Sequence, residues 1–241
     1  MNSLLLGDGH AYGYGLSARQ LSYTGHFVRR LSRAGRSVSV EAYAHLTLPE
    51  STDMLARLPL SQYDLIVLQL GPDLVGRAIP GSGPAHSAVG DGLPILHQPG
   101  RMSGPATRPT SPKHIGTVGQ TAFNIAASAF SSLSCPGRLA ELLTLLRPYR
   151  HMVLLMTPFP CRTWPGQWLR ERSRSVLLEE GARRGFSVFD TASVVQPRDE
   201  YFLTGDDAHL NAVSHELIGR ALFEFYQSAP TIVTVQTTNR N

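Results

Sequence analysis

Three stretches of the chain are almost without polar interruption: Leu4-Leu5-Leu6, Tyr63-Asp-Leu-Ile-Val-Leu-Gln-Leu and His151-Met-Val-Leu-Leu-Met. Short apolar runs of this kind suit strands buried on both faces of a parallel sheet. Ser37-Val-Ser-Val-Glu-Ala alternates instead, as a strand with one wetter face does, and Phe186 to Asp190 reads as a fifth strand. Between them the period changes to that of a helix. The spacing predicts helices over 17–33, closed by Gly35, over 54–58, over 138–146 with Leu139, Leu142, Leu143 and Leu146 on one face, and over 167–184. A last helix is expected over 207–226, with Leu210, Val213, Leu217, Ala221 and Phe225 inward. Strands alternating with helices define an α/β, doubly wound parallel sheet with its site at the carboxyl ends of the strands.

The segment 71–137 breaks this pattern. It is rich in proline, glycine and serine, and only Thr121 to Ser132 is read as a helix. Residues 75–135 are therefore expected to be an insertion, either a lid or binding loop or a plain surface excursion. One domain is expected over 1–228, with 229–241 as a tail or edge strand.

Composition narrows the class. The chain has 241 residues, 42% hydrophobic and 17% charged, enough for one well-buried core. No apolar run approaches the roughly 18 residues of a membrane span, and Met1 to Leu6 lacks the length and basic flank of a signal peptide, so a cytoplasmic protein without membrane contact is expected. The net charge is +4, but every basic residue except Lys113 is arginine, and the densest group, Arg29, Arg30, Arg33 and Arg36, falls near the end of a predicted helix. Cations there complement the helix dipole, and no nucleic-acid motif accompanies them, so no nucleic-acid partner is expected. Cys135 and Cys161 are too few for a disulfide framework or a zinc site and read as unpaired thiols.

Two stretches carry chemistry. Gly7-Asp8-Gly9, with Gly13 and Gly15 behind it, is an apolar strand running into a tight turn, the setting in which hydrolases place a nucleophile, yet Gly9 has no side chain. Gly205-Asp206-Asp207-Ala208-His209 sets a carboxylate three residues before an imidazole. That spacing lets Asp206 fix the His209 tautomer and stabilise its protonated form, although an aspartate ahead of a helix is also a common N-cap. His10 and Tyr12 flank the first turn and are candidate ligand contacts, as is His45. His86, His97 and His114 lack metal-ligand spacing, Asp91 reads as a turn residue, and Trp164 and Trp168 suit either sugar stacking or packing.

GDGHAYGYGLS, YDLIVLQLGPDL and GDDAHLN, in this order from about Leu4 to Tyr226, resemble the SGNH or GDSL hydrolase superfamily. The resemblance implies a three-layer α/β/α domain, flavodoxin-like, that hydrolyses carboxylic esters such as acylated sugars and lipids without metal or organic cofactor. It implies that Gly9 stands at the serine nucleophile and Asp8 beside it. A glycine whose N–H holds the oxyanion should fall within 42–46, where there is none. Gly71-Pro72-Asp73-Leu74 puts Asp73 at the oxyanion asparagine, and Asp206 and His209 complete the catalytic pair.

The departures decide the functional expectation. Gly9 cannot form an acyl-enzyme. An ionised Asp73 would repel the oxyanion that asparagine stabilises, and losing one such donor alone costs on the order of 10²–10³ in rate. Three readings follow: a hydrolase-like protein in which His209 activates water, with Asp8 or Asp73 positioning it and the Gly9 N–H on the oxyanion; a binding module for an acyl or carbohydrate ligand in the same cleft; or an esterase whose serine has been exchanged for glycine, against which Asp73 argues. In each the ligand is a small-molecule ester or carbohydrate. The oligomeric state is not legible.

Overall fold

Leu65–Gln69, buried at all five positions, is the middle strand of a five-stranded parallel sheet. In the computed structural model, which describes residues 1–72 and 135–229, the strands are β1 (Asn2–Gly7), β2 (Ser39–Ala44), β3 (Leu65–Gln69), β4 (Val153–Met156) and β5 (Ser187–Phe189). Their spatial order is β2-β1-β3-β4-β5, every neighbouring pair parallel. β1, β3 and β4 are interior strands and correspond to the uninterrupted apolar runs. β2 lies at the edge, which is why its residues alternate and stay partly exposed.

Among the described residues five α-helices cover the two faces: α1 (Tyr23–Arg33), α2 (Leu48–Arg57), α3 (Cys135–Leu146), α4 (Trp164–Arg184) and α5 (Ala212–Ser228). Leu5, Val67, Leu154 and Phe189 point to one face and pack with Phe27 and Leu31 of α1 and Ile218 and Leu222 of α5. Leu4, Leu6, Ile66, Leu68 and Leu155 point to the other, against Leu55 of α2, Leu139 and Leu142 of α3 and Leu177 of α4. This is a three-layer α/β/α sandwich whose winding reverses between β1 and β3, and open sheets of this order bind ligands at the carboxyl ends of the strands beside that reversal.

α3 and α4 each start three residues earlier than the pattern predicts, at Cys135 and Trp164, and the three larger shifts each have a capping reason. α1 starts at Tyr23 rather than at Ser17 because the Ser22 hydroxyl accepts the Gly25 N–H at 3.2 Å. α2 begins at Leu48, ahead of the expected Met54, on a Thr47–Glu50 capping box with Pro49 in the first turn, where its missing N–H costs nothing. α5 begins at Ala212 with Asn211 as its cap, so Asp206 and His209 precede the helix on a loop. That shift rotates the buried face. Ser214, His215, Ile218, Gly219, Leu222 and Tyr226 point inward while Val213 is 61% exposed, correcting the expected inward set. Gly219 allows a close approach of α5 to α1, since a Cβ there would stand 2.7 Å from the Tyr23 carbonyl oxygen. The helix expected over Thr121 to Ser132, most of the 75–135 insertion and the tail beyond Ala229 lie outside the described residues.

His215 is fully buried and spends its Nδ1 on the N–H of Tyr23, the first residue of α1, at 3.0 Å. Burial, with the neighbouring His10 adding to it, pushes its pKa down to about 3. The folded state therefore holds His215 neutral where the unfolded chain takes up a proton below its model value of 6.5. Stability from this residue is fully present above that pH and is lost on the way down to about pH 3. Urea unfolding between pH 6 and 4 is expected to show an added slope of up to about 1.4 kcal/mol per pH unit. His215→Asn, which offers an amide oxygen to the same N–H, should remove that slope.

Candidate active site

The end of β1 is shaped by Asp8. Its Oδ1 accepts the His10 N–H at 2.8 Å, capping a 3-10 turn over Gly9–Tyr12, and the Asp8 carbonyl accepts the Ala11 N–H at 3.0 Å. The Tyr14 N–H returns to the Gly9 carbonyl at 3.0 Å. The Gly9 N–H, by contrast, donates no hydrogen bond within the described residues and is left for a ligand. Gly15, with φ 80°, lies under Leu203, whose Cδ1 would stand 2.3 Å from a Cβ placed there. This contact seats the first turn against the loop that carries the late motif.

That loop is fixed at both ends. Phe202 and Leu210 form an isolated antiparallel bridge, and the Leu203 N–H donates to the His209 carbonyl at 3.0 Å. Within it, Asp206 Oδ1 accepts the N–H groups of Ala208 (2.8 Å) and His209 (3.0 Å), while Oδ2 lies 2.6 Å from His209 Nδ1. Burial by itself would raise the Asp206 pKa, but the two backbone N–H groups and the imidazole outweigh it and hold the carboxyl below its usual range. An ionised Asp206 directs His209 Nδ1–H to itself and leaves Nε2 outward. The pair is half-buried, 32% of each side chain being accessible.

The two motifs converge. His10 Nε2 lies 3.1 Å from the Ala208 carbonyl oxygen, and the rings of His10 and His209 are 5.6 Å apart between centroids. Tyr14 packs on His209 with centroids 4.4 Å apart. A Cβ on Gly9 would meet Tyr14 Cβ at 3.5 Å and His45 Cε1 at 3.4 Å, ordinary contact distances, and Gly9 has no left-handed φ, so a serine fits there without strain.

The remaining candidates are placed unevenly. His10 is buried, with Nδ1 3.0 Å from Asp8 Oδ1 and Nε2 on Ala208, so it has no nitrogen free for a ligand and serves as a tie between the two loops. Burial would raise the Asp8 carboxyl, but the His10 imidazole and its hydrogen bonds reverse this and hold it well below the usual carboxylate range. Oδ1 is thus committed to the turn, while 35% of the Asp8 side chain stays accessible. Tyr12 packs against the core, and burial raises its phenol pKa. Gly71 lies just past β3 and, with Gly7, Leu46, Ser51 and Gln69, lines a small cavity. Asp73 lies outside the described residues. Within 42–46, where the resemblance expects glycine, His45 has φ 60°, the one non-glycine residue with positive φ among those described. Its N–H donates to the Gly7 carbonyl at 3.0 Å and is not free for an oxyanion. Trp164 and Trp168 are exposed at the start of α4.

Tyr14, Gln69 and His215 were not legible as site residues. Gln69 had a signal: it is a polar side chain in a strand buried on both faces, and its Oε1 accepts the Asp8 N–H and the Tyr23 hydroxyl, each at 3.2 Å. Among the described residues no helix is long and apolar enough to cross a membrane, and no group of three or more His, Cys, Asp or Glu could hold a metal.

No family model and no curated protein sequence matches the chain. Solved structures do. A lipase/acylhydrolase from Enterococcus faecalis is 18% identical with TM-score 0.56, the match covering 95% of this chain and 96% of that one. The native aryl esterase of M. smegmatis is 14% identical with TM-score 0.53, covering 94% and 98%. A catalytic mutant of Axe2, an acetylxylan esterase from Geobacillus stearothermophilus, is 13% identical with TM-score 0.54, covering 92% of each chain. The fold is that of the SGNH, or GDSL, hydrolases, shared over nearly the whole chain.

His10→Phe keeps a ring of similar volume but strips the donor from the Asp8 carboxylate and the Ala208 carbonyl. Urea denaturation should show it destabilised by about 2–4 kcal/mol. Tyr14→Ala, at a side chain 47% exposed, should cost well under half as much.

Proposed function

We propose that this protein hydrolyses carboxylic esters, acyl or acetylated-carbohydrate substrates in particular, by direct attack of water instead of through a serine acyl-enzyme. The observation that carries this reading is the 2.6 Å pairing of Asp206 with His209 beside a turn whose Gly9 N–H is unengaged. With Nδ1 held by Asp206, His209 Nε2 takes a proton from water as the water oxygen bonds to the acyl carbon. Asp206 stabilises the imidazolium, and the Gly9 N–H donates to the developing oxyanion. As the tetrahedral species collapses, the bond to the alcohol oxygen breaks, that oxygen takes up a proton and His209 gives one up, so that one water yields one acid and one neutral alcohol. Either Asp8, whose side chain is 35% accessible, or Asp73 orients the water. Esterases acting on aryl and acetylxylan substrates among the structural neighbours support this substrate class. Neither metal nor organic cofactor takes part, and the protein acts on a small molecule in solution, not on nucleic acid or at a membrane.

A second reading, recognition of the same ligands without turnover, is favoured by the missing side chain at Gly9. It would leave Asp206 and His209 as binding groups. One assay separates the two: p-nitrophenyl acetate and acetylated xylo-oligosaccharide with the unmodified chain, His209→Ala and Gly9→Ser. Slow turnover by the unmodified chain, lost in His209→Ala, is expected. Gly9→Ser, for which the cleft has room, should raise kcat by about 10²-fold or more. An unmodified chain with no turnover overturns the hydrolytic reading in favour of the binding one.

A further inference from the structure

We infer that His45 is a second acid–base group of this cleft, the one that protonates the departing alcohol. The inference rests on the hydrolytic reading above and adds a residue to it.

Two observations carry it. The first is the backbone. His45 holds φ 60°, the left-handed region that side-chain-bearing residues rarely enter, and no other described non-glycine residue does so. The residue is tied at the end of β2, where the His45 N–H continues the β1–β2 ladder onto the Gly7 carbonyl. Residues kept in such conformations cluster at functional sites, because only the surrounding structure maintains them. The second observation is the ring. Its Cε1 lies 3.4 Å from where a Cβ on Gly9 would begin, so the imidazole borders the space left by the missing nucleophile. Among the described residues neither ring nitrogen has a hydrogen-bond or ion-pair partner, and the side chain is exposed. The other imidazoles around the turn are committed. His10 uses both nitrogens, His215 gives Nδ1 to Tyr23, and His209 gives Nδ1 to Asp206. His45 alone brings an unassigned ring to the reactive turn.

The chemistry divides two proton transfers between two rings. Water attacks the acyl carbon, a C–O bond forms, and His209 Nε2 receives the water proton. The bond from the acyl carbon to the alcohol oxygen then breaks, and the His45 imidazolium gives its ring proton to that oxygen, so the alcohol leaves neutral. His209 returns its proton to solvent and His45 recovers one, leaving one water consumed per acid and alcohol formed. A phenolate leaves readily without such help, whereas an aliphatic or sugar alkoxide does not. His45 therefore selects for esters of aliphatic and sugar alcohols.

The test compares kcat and KM of the full chain, His45→Asn and His45→Gly on p-nitrophenyl acetate and on ethyl acetate. Asparagine and glycine both accept the left-handed backbone, so melting temperatures should equal or exceed that of the unmodified chain. The expected result is a fall in kcat of about 10²-fold on ethyl acetate in both variants, with KM unchanged and the aryl ester altered by less than about threefold. Equal losses on both esters with a lowered melting temperature would make His45 structural and overturn the proposal. A loss confined to the aryl ester would make it a nucleophile, and overturn it likewise. Turnover that needs His209 but ignores both His45 variants sinks this inference alone. Absence of turnover in the unmodified chain removes it together with the hydrolytic reading.

Discussion

The site depends on one buried imidazole. His10 spans from the Asp8 carboxylate to the Ala208 carbonyl, 198 positions away in sequence. Its ring joins the turn after β1 to the loop before α5, and Leu203 seated under Gly15 closes the same seam. A contact between groups so distant in the chain bears a large loop-closure cost, which is met here by the sheet and by packing of α1 on α5. Once the seam is closed, the position of His209 over the first turn follows from local geometry within 202–210.

Polar groups run from this seam into the apolar layer. Gln69 accepts from Asp8 and from Tyr23, and Tyr23 donates its backbone N–H to His215. Each of these bonds satisfies a donor that the fold has taken out of water, and leaving any of them unmade would be costly. Among the described residues the Nε2 of His215 and the Nε2 of Gln69 have no hydrogen-bond partner, so the network is not fully satisfied within this part of the chain. The chain keeps this set of buried polar contacts directly beneath the Gly7-Asp8-Gly9 turn.

Chemically, the absence at Gly9 changes which groups matter. A serine would make the acyl carbon the partner of the turn itself. With a glycine, the turn offers only an N–H, and the side chains nearest to it come from other segments, Tyr14 and His45 among them. Asp206 fixes one imidazole by a short hydrogen bond, and the left-handed backbone at the end of β2 sets a second histidine, His45, beside Gly9. The cleft at the β1–β3 reversal is thereby furnished with two histidines supplied by different elements.

The strands, their parallel arrangement and the Asp206–His209 pair were readable along the chain. A strand buried on both faces must be apolar throughout, and a carboxylate three residues from an imidazole reaches it through local geometry. Helix starts were misjudged wherever a cap, such as Ser22, Thr47 or Asn211, outweighed periodicity, and the inward face of α5 rotated with its true start. What the amino-acid order could not reveal was decided by contacts between distant segments: His10 as a buried tie and not a ligand contact, Gln69 and His215 as interior partners, and His45 in a glycine-like conformation against Gly9. A residue's backbone region, burial and hydrogen-bond partner are properties of its neighbours in space, and those neighbours exist only once the sheet has formed.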